Sequence, residues 1–209
     1  FATLAIQALA SMAALTVPVL APEAAAATGY PAKLAGVFIG LVYAGAMVSS
    51  LISGALIDRL GPMRVSQLCL LLCAAGLLLA ASGVLAVMGL GALVIGAGYG
   101  PVTPSSSHLL ARTTPPHRMG LTFSLKQTGV PLGGAMAGLV VPPIVSGRGW
   151  QEALLVVAGL CVAMAVLSQP VRVALDRVSA VPPPKSPAPG RRRGVFEPLR
   201  LILERPPLR

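Results

Sequence analysis

The most reactive side chains of this sequence lie inside long apolar runs. Lys126 is the one basic residue deep within such a run, and Gln127 and Thr128 follow it directly. A charge buried in an apolar, membrane-like segment is costly, so it marks a functional site by default. Facing a cavity, the Lys126 ammonium would hold an anionic group, with Gln127 or Thr128 assisting. Alternatively, since Lys126 lies about two turns from the end of its run, its aliphatic stem could snorkel to water.

Three further polar side chains are secondary candidates for the wall of a cavity. Gln7 belongs to the first apolar run, and Tyr99 and His108 to the fourth. His108 fits a helix end near lipid headgroups better than a proton relay, because it comes close to the end of its run.

Catalytic and metal-binding chemistry are not favoured by the remaining candidates. A nucleophile such as Ser107 or Cys73 would need a base, and His108 has no carboxylate near it in the sequence. Cys69 and Cys73 share a helix face at i and i+4, but no His, Asp or Glu nearby completes a metal site. The sequence therefore predicts neither an enzyme nor a resident cofactor or metal.

The composition indicates an integral membrane protein. Of 209 residues, 55% are hydrophobic and 11% are charged, whereas a soluble domain has about a quarter charged. Runs of about 20 apolar residues match the ~30 Å hydrocarbon core of a membrane, so the lipid bilayer is the first expected partner. Inside lipid the backbone must satisfy its own hydrogen bonds, so each run should be a helix. The net charge of +10 does not indicate nucleic-acid binding, because the basic residues lie at helix ends and in one linker, and aromatics are only 4%.

The chain divides into a helical bundle, 1–173, a basic proline-rich linker, 174–198, and the start of another helical segment, 199–209. The bundle contains six predicted spans: 2–21, 34–57, 65–83, 86–111, 120–145 and 151–173. Alanines at 24–27 resemble a signal-peptide cleavage region, but the long apolar core favours a retained first helix. The chain opens without Met and ends as a helix begins, so a fragment is expected.

Basic residues predict the orientation in the membrane. With the amino terminus cytoplasmic, thirteen of the sixteen Lys and Arg residues fall on the inner side, and only Lys33 and Arg148 fall on the outer side. This positive-inside bias predicts a multi-pass protein of the inner (plasma) membrane.

The six spans differ in kind. The third and sixth are nearly featureless Leu, Ala and Val runs, whereas the first, fourth and fifth carry polar groups, glycine and proline. Uniformly apolar helices suit a lipid-facing position, and polar or flexible ones suit a watery cavity. The pattern predicts two three-helix repeats, with spans three and six at the periphery.

The loop after the second span has the most specific spacing in the chain. It places Gly54, Asp58, Arg59, Gly61 and Arg64 in the order G-x-x-x-D-R-x-G-x-x-R. Asp58 lies at the carboxyl end of its helix, where the helix dipole is unfavourable for an anion. It therefore needs a partner, either Arg64 or the amino end of another helix.

This loop resembles that of the major facilitator superfamily, in which it latches two helical bundles together and helps gate alternating access. The resemblance implies an amino-terminal six-helix bundle, with a carboxyl-terminal bundle as its partner, and secondary active transport of a small solute; Lys126 favours an organic anion. One departure concerns Ala92, where many members have an arginine linked to proton coupling, so the coupling ion stays open. The alternative function is a non-transporting membrane scaffold or assembly protein.

The fifth span is rich in glycine and proline, as is the family's fifth helix, which it resembles. Gly129 and Gly133 form a small-xxx-small pair, and Gly134 and Gly138 form another; such pairs permit tight helix contact. Pro131 removes a backbone hydrogen bond. Two interpretations stay open, a moving hinge at 129–134 and ordinary close packing.

Overall fold

The computed structural model describes residues 1–170 and residue 172, and its long elements are α-helices. The predicted linker, 174–198, and the segment 199–209 lie outside the described residues. The helices are α1 (Ala2–Val19), α2 (Ala21–Thr28), α3 (Leu34–Leu60), α4 (Pro62–Ala80), α5 (Leu85–Tyr99), α6 (Val102–Thr113), α7 (Met119–Gln127), α8 (Gly129–Arg148) and α9 (Trp150–Leu167), with a short 3-10 turn at Pro116–Arg118.

Within the described residues, six stretches are long and apolar enough to cross a membrane. They are Ala2–Val19, Leu34–Leu60, Pro62–Ala80, Leu85–Thr113, Pro116–Arg148 and Trp150–Leu167. This confirms the six predicted spans and the all-α membrane fold. The end of the bundle that contains the α3–α4 turn is called the Gly61 end below, since Gly61 makes that turn at φ 87°.

Two spans are broken where the sequence places proline. The fourth divides into α5 and α6 at Gly100 and Pro101, and the fifth divides into α7 and α8 at Thr128. Pro104 and Pro131 each lie a few residues beyond these breaks, and neither can donate a hydrogen bond to the carbonyl four residues earlier. The breaks follow from these missing bonds.

Glycines allow the helix backbones to touch. A Cβ atom built on Gly45 of α3 would lie 2.6 Å from the Leu93 carbonyl oxygen of α5, and one on Gly76 of α4 would lie 2.6 Å from that of Gly91. Such Cβ atoms cannot be accommodated, so these positions require glycine. Since lipid gives no hydrophobic force between helices, close backbone packing of this kind holds the bundle together.

The third span is more enclosed than its featureless sequence indicates. In its apolar window 61% of the residues are buried, as in the first span, against 22% in the second and fifth. Cys69, Leu70 and Cys73 pack inside, whereas Leu68 and Leu78 are exposed. The prediction of a merely peripheral helix is wrong for this span, because a mostly apolar run suits a packed core as well as lipid.

The opposite end of the bundle is closed around an aromatic side chain. Trp150, at the start of α9, is buried, and a Cβ built on Gly83 would lie 3.7 Å from its ring. Gly83 belongs to the turn between α4 and α5 and has φ 73°. The ring therefore joins this turn to the sixth span.

Candidate functional site

Hydrogen bonds link four polar residues from the first, fourth and fifth spans. They are the buried Gln7 of α1, the exposed Thr103 and the half-buried Ser107 of α6, and the buried Lys126 of α7, named the polar cluster below. Thr103 and Ser107 are four residues apart, so they lie on one face of α6. The prediction that spans one, four and five line a common region agrees with this arrangement.

Lys126 is enclosed by the bundle. Its side chain is 3% exposed, and its Nζ donates to the carbonyl oxygen of Thr103 at 3.4 Å and to Ser107 Oγ at 3.5 Å. Both are long for hydrogen bonds to a cation, which are typically 2.7–2.9 Å. The side chain thus turns inward and does not follow the snorkelling alternative.

The Lys126 ammonium has no anionic partner in the described part of the chain. The carboxylates there are Glu23, Asp58 and Glu152, and none forms an ion pair with Lys126. An uncompensated buried charge is strongly unfavourable. The cluster is therefore complementary to an anion.

Gln7 brings to the cluster an amide donor that has no hydrogen-bond partner among the described residues. The Thr103 hydroxyl donates to Gln7 Oε1 at 3.3 Å, while Gln7 Nε2 is buried and has no hydrogen-bond partner among the described residues. A buried donor without a partner costs about 1–3 kcal/mol. A ligand oxygen at this position would satisfy it.

A cleft of about 550 Å³ opens beside the cluster, between α3 and the α5–α6 break. Its walls are Tyr43, Ala46, Met47, Ser50, Ser53, Tyr99, Gly100, Thr103 and Pro104. Thr103 is shared, because it lines the cleft and also contacts Gln7 and Lys126. Cavities of this size hold small organic ligands, although the buried Gln7 and Lys126 are not among the lining residues.

The predicted site residues are only partly brought together. Lys126 and Gln7 belong to the cluster, and Tyr99 lines the cleft, where its ring packs edge-on against Tyr43 with centroids 6.3 Å apart. His108 is half-buried, and its Nδ1 has no partner within residues 1–170 and 172.

Gln127 and Thr128 lie outside the cluster. Both are exposed, and the Thr128 hydroxyl donates to the Leu125 carbonyl oxygen at 2.6 Å. Consecutive helical residues point to different faces, so neighbours of Lys126 in sequence are not its neighbours in space. Thr103 and Ser107 are the spatial neighbours of Lys126. Their i, i+4 spacing is the feature of the sequence that indicates a shared polar helix face.

The residues of the Gly54–Arg64 loop are exposed at the Gly61 end. Asp58, Arg59 and Arg64 all face outward, and Asp58 forms no ion pair with Arg64 or with another described residue. A Cβ built on Gly54 would meet no atom within 4 Å. The Asp58–Arg64 pair, one of the two alternatives for Asp58, is thus absent among the described residues.

The glycines of the fifth span divide into two groups. A Cβ on Gly129 would lie 2.9 Å from the Leu4 carbonyl oxygen, and one on Gly133 would overlap that of Ala8. Gly134 has one contact, with the side chain of Leu15, and Gly138 has none within 4 Å. The first pair forms a tight seam with α1, called the α1–α8 seam below, immediately after the helix break at Thr128.

Comparison with known proteins gives the family. The sequence profile of the Major Facilitator Superfamily matches residues 3–209. The chain belongs to the Major Facilitator Superfamily. The resemblance predicted from the Gly54–Arg64 loop is thereby confirmed.

Two curated proteins illustrate the similarity. A rice protein (Oryza sativa subsp. japonica) named Probable anion transporter 6 is 31% identical over 166 residues, covering 75% of this chain and 38% of the rice protein. An uncharacterized MFS-type transporter of Mycobacterium tuberculosis is 30% identical over 151 residues, covering 71% of this chain and 34% of the relative. The chain thus matches little more than a third of the length of these Major Facilitator Superfamily proteins.

Proposed function

We propose that this chain forms the six-helix amino-terminal bundle of a secondary transporter that moves a small organic anion by alternating access. The observation that carries the proposal is the buried Lys126 ammonium, which lacks a carboxylate partner in the described residues. The name of the rice relative, an anion transporter, supports the same substrate class.

In the proposed site the anion binds Lys126 and accepts a hydrogen bond from Gln7 Nε2. Thr103 and Ser107 now hold the lysine only at 3.4–3.5 Å, so they can release it toward a carboxylate or phosphate at low cost. Charge-assisted hydrogen bonds of this kind are about twice as strong as neutral ones. The open cleft at Thr103 provides the entry.

The proposed movement uses the two broken spans and the exposed loop. Gly100 and Thr128 mark helix breaks beside the cluster, where a few residues can absorb a change of backbone angles. Asp58 is exposed and unpaired within the described chain, as is required of a latch to a second bundle. Rocking of two bundles about a midplane site is how such folds alternate access.

We also propose that the Gly61 end faces the cytoplasm of a cell whose inner membrane holds the protein. Arg59, Arg64, Arg112 and Arg118 lie at this end, and positive charge favours the cytoplasmic side. Cysteine labelling of the α3–α4 turn from each side of the membrane would test the orientation; labelling from outside in intact cells would refute it.

The proposed activity is tested by uptake of radiolabelled organic anions into proteoliposomes. We expect saturable uptake by the natural protein, loss of uptake in Lys126→Ala, and partial retention in Lys126→Arg, with equal membrane insertion of all three. Unchanged kinetics in Lys126→Ala would remove the lysine from the site. Absence of uptake for anionic, cationic and neutral solutes alike would favour the scaffold alternative.

A further inference from the structure

A second concave surface lies at the Gly61 end, and none of its lining residues belongs to the polar cluster. It is a groove of about 290 Å³ between the start of α4 and the end of α9. Its lining residues, called the α4–α9 groove, are Leu60, Arg64, Gln67, Leu68, Leu71, Ala165, Val166, Gln169 and Arg172.

The base of the groove is fixed by hydrogen bonds between the two helices. Gln67 is buried, and its Nε2 donates to the carbonyl oxygen of Ala165 at 3.0 Å and to Ser168 Oγ at 3.0 Å. Ser168 Oγ in turn donates to the Ala165 carbonyl at 2.9 Å. The groove is therefore a built feature, whose width is set by a satisfied polar contact.

The charges of the groove are all positive. Arg64 comes from α4 and Arg172 from the chain beyond α9, and no carboxylate is among the lining residues that the structure describes. The Gln169 amide, which is exposed, adds a neutral polar group on the same side. Two guanidinium groups on one groove are complementary to a phosphate, which arginine binds in a bidentate manner.

The remaining wall of the groove is apolar and open to the side. Its four large apolar side chains are exposed, Leu60 at 37%, Leu68 and Leu71 at 43% and Val166 at 62%. These side chains belong to helices that cross the hydrocarbon layer. A ligand here would thus meet cationic groups at the helix ends and apolar surface along the helices.

We propose that the α4–α9 groove binds an anionic phospholipid, with its phosphate on Arg64 and Arg172 and an acyl chain along Leu68, Leu71 and Val166. The arginines lie at the helix ends and the apolar side chains lie along the helices, which matches the headgroup and acyl chain of a lipid in the leaflet at the Gly61 end. A free phosphate would use the arginines alone and leave the apolar wall without a ligand. The proposal does not depend on the transported substrate.

The test uses the chain purified in a neutral detergent and native mass spectrometry with phosphatidylglycerol or phosphatidylcholine of the same acyl chains. We expect retention of phosphatidylglycerol over phosphatidylcholine. The double variant Arg64→Gln/Arg172→Gln should weaken phosphatidylglycerol binding by roughly fivefold for each arginine removed.

A matched control removes the same charge elsewhere. Arg59→Gln/Arg148→Gln changes two exposed arginines that do not line the groove, and we expect phosphatidylglycerol binding to be unchanged. Gln169→Glu places a negative charge beside the arginines and should weaken binding even if the double arginine variant misfolds.

Three results would overturn the proposal. The first is equal binding of the two lipids, and the second is an equal loss in the groove variant and its control, which would indicate general charge attraction. The third is displacement of phosphatidylglycerol by inorganic phosphate at equal concentration, which would indicate a site for the free anion.

Discussion

The α1–α8 seam and the Gly54–Arg64 loop between α3 and α4, called the hairpin below, both combine glycine with a nearby charge, and the structure gives them opposite surroundings. In the seam, Gly133 packs on the backbone of α1, and Lys126 is buried. In the hairpin, Gly54 has no neighbour within 4 Å of its missing Cβ, and Asp58 is exposed. The seam is thus complete within the described chain, whereas the hairpin offers groups that are free to meet another partner.

The largest expected effect concerns the packing of the seam. In Gly133→Val, a Cβ would overlap the Ala8 carbonyl oxygen and lie 2.9 Å from the Met12 nitrogen, so α1 and α8 must move apart. We expect a loss of about 1–3 kcal/mol or more in the free energy of unfolding, measured by denaturant titration in detergent. Gly138→Val, on the same helix with open space around it, should have little effect; equal losses in both variants would contradict the seam.

Substitution of Lys126 should have a smaller effect, which raises stability and lowers transport activity. Lys126→Met keeps most of the length of the side chain and removes an uncompensated buried charge, so the free energy of unfolding should rise by about 1–3 kcal/mol. Anion uptake should fall by roughly ten- to a hundredfold, the value of a hydrogen bond to a charged group. Denaturant titration and uptake kinetics measure the two changes, and a destabilised Lys126→Met protein would show that the charge is satisfied.

Substitution of Asp58 in the hairpin should change transport activity but not stability. Because Asp58 is exposed and unpaired in the described chain, Asp58→Asn should alter the free energy of unfolding by no more than about 0.5 kcal/mol. If Asp58 latches the bundle to a second one, uptake should nevertheless fall several-fold. A large loss of stability in this chain would place the partner of Asp58 inside the bundle.

The smallest expected effect concerns Gln7. Gln7→Met removes a buried amide whose Nε2 has no partner in the described chain, so stability should stay within about 1 kcal/mol of the unmutated protein. The KM for the anion should rise, with little change in the maximal rate. An unchanged KM would remove Gln7 from the site, and Thr103→Val serves as the control for loss of the Gln7–Thr103 hydrogen bond.

The sequence predicts the spans well and the contacts less well. Hydrocarbon thickness and the need for internal hydrogen bonds dictate six helices, and Pro104 and Pro131 follow the helix breaks at Gly100 and Thr128. Glycine, by contrast, permits close approach without requiring it. The sequence therefore predicts the same close helix packing at Gly133 and Gly138, although of these two only Gly133 has a helix against it.

The sequence likewise predicts the central residue of the site but not its neighbours. Lys126 was identifiable from the cost of its charge, which depends only on the surrounding apolar sequence. Its actual neighbours, Thr103 and Ser107, lie about 20 residues away, at 23 and 19 positions in sequence. Which helices meet is decided by tertiary packing, so Gln127 and Thr128 follow Lys126 in the sequence but lie outside the polar cluster.

Trp150 gives the bundle a built-in optical probe. It is the single tryptophan of the sequence, and its buried ring lies against the turn at Gly83. Any rearrangement that separates the sixth span from this turn would expose the indole and shift its fluorescence emission to longer wavelength. Conformational change at the end opposite Gly61 can thus be followed without an attached dye, while substrate is added to the other face.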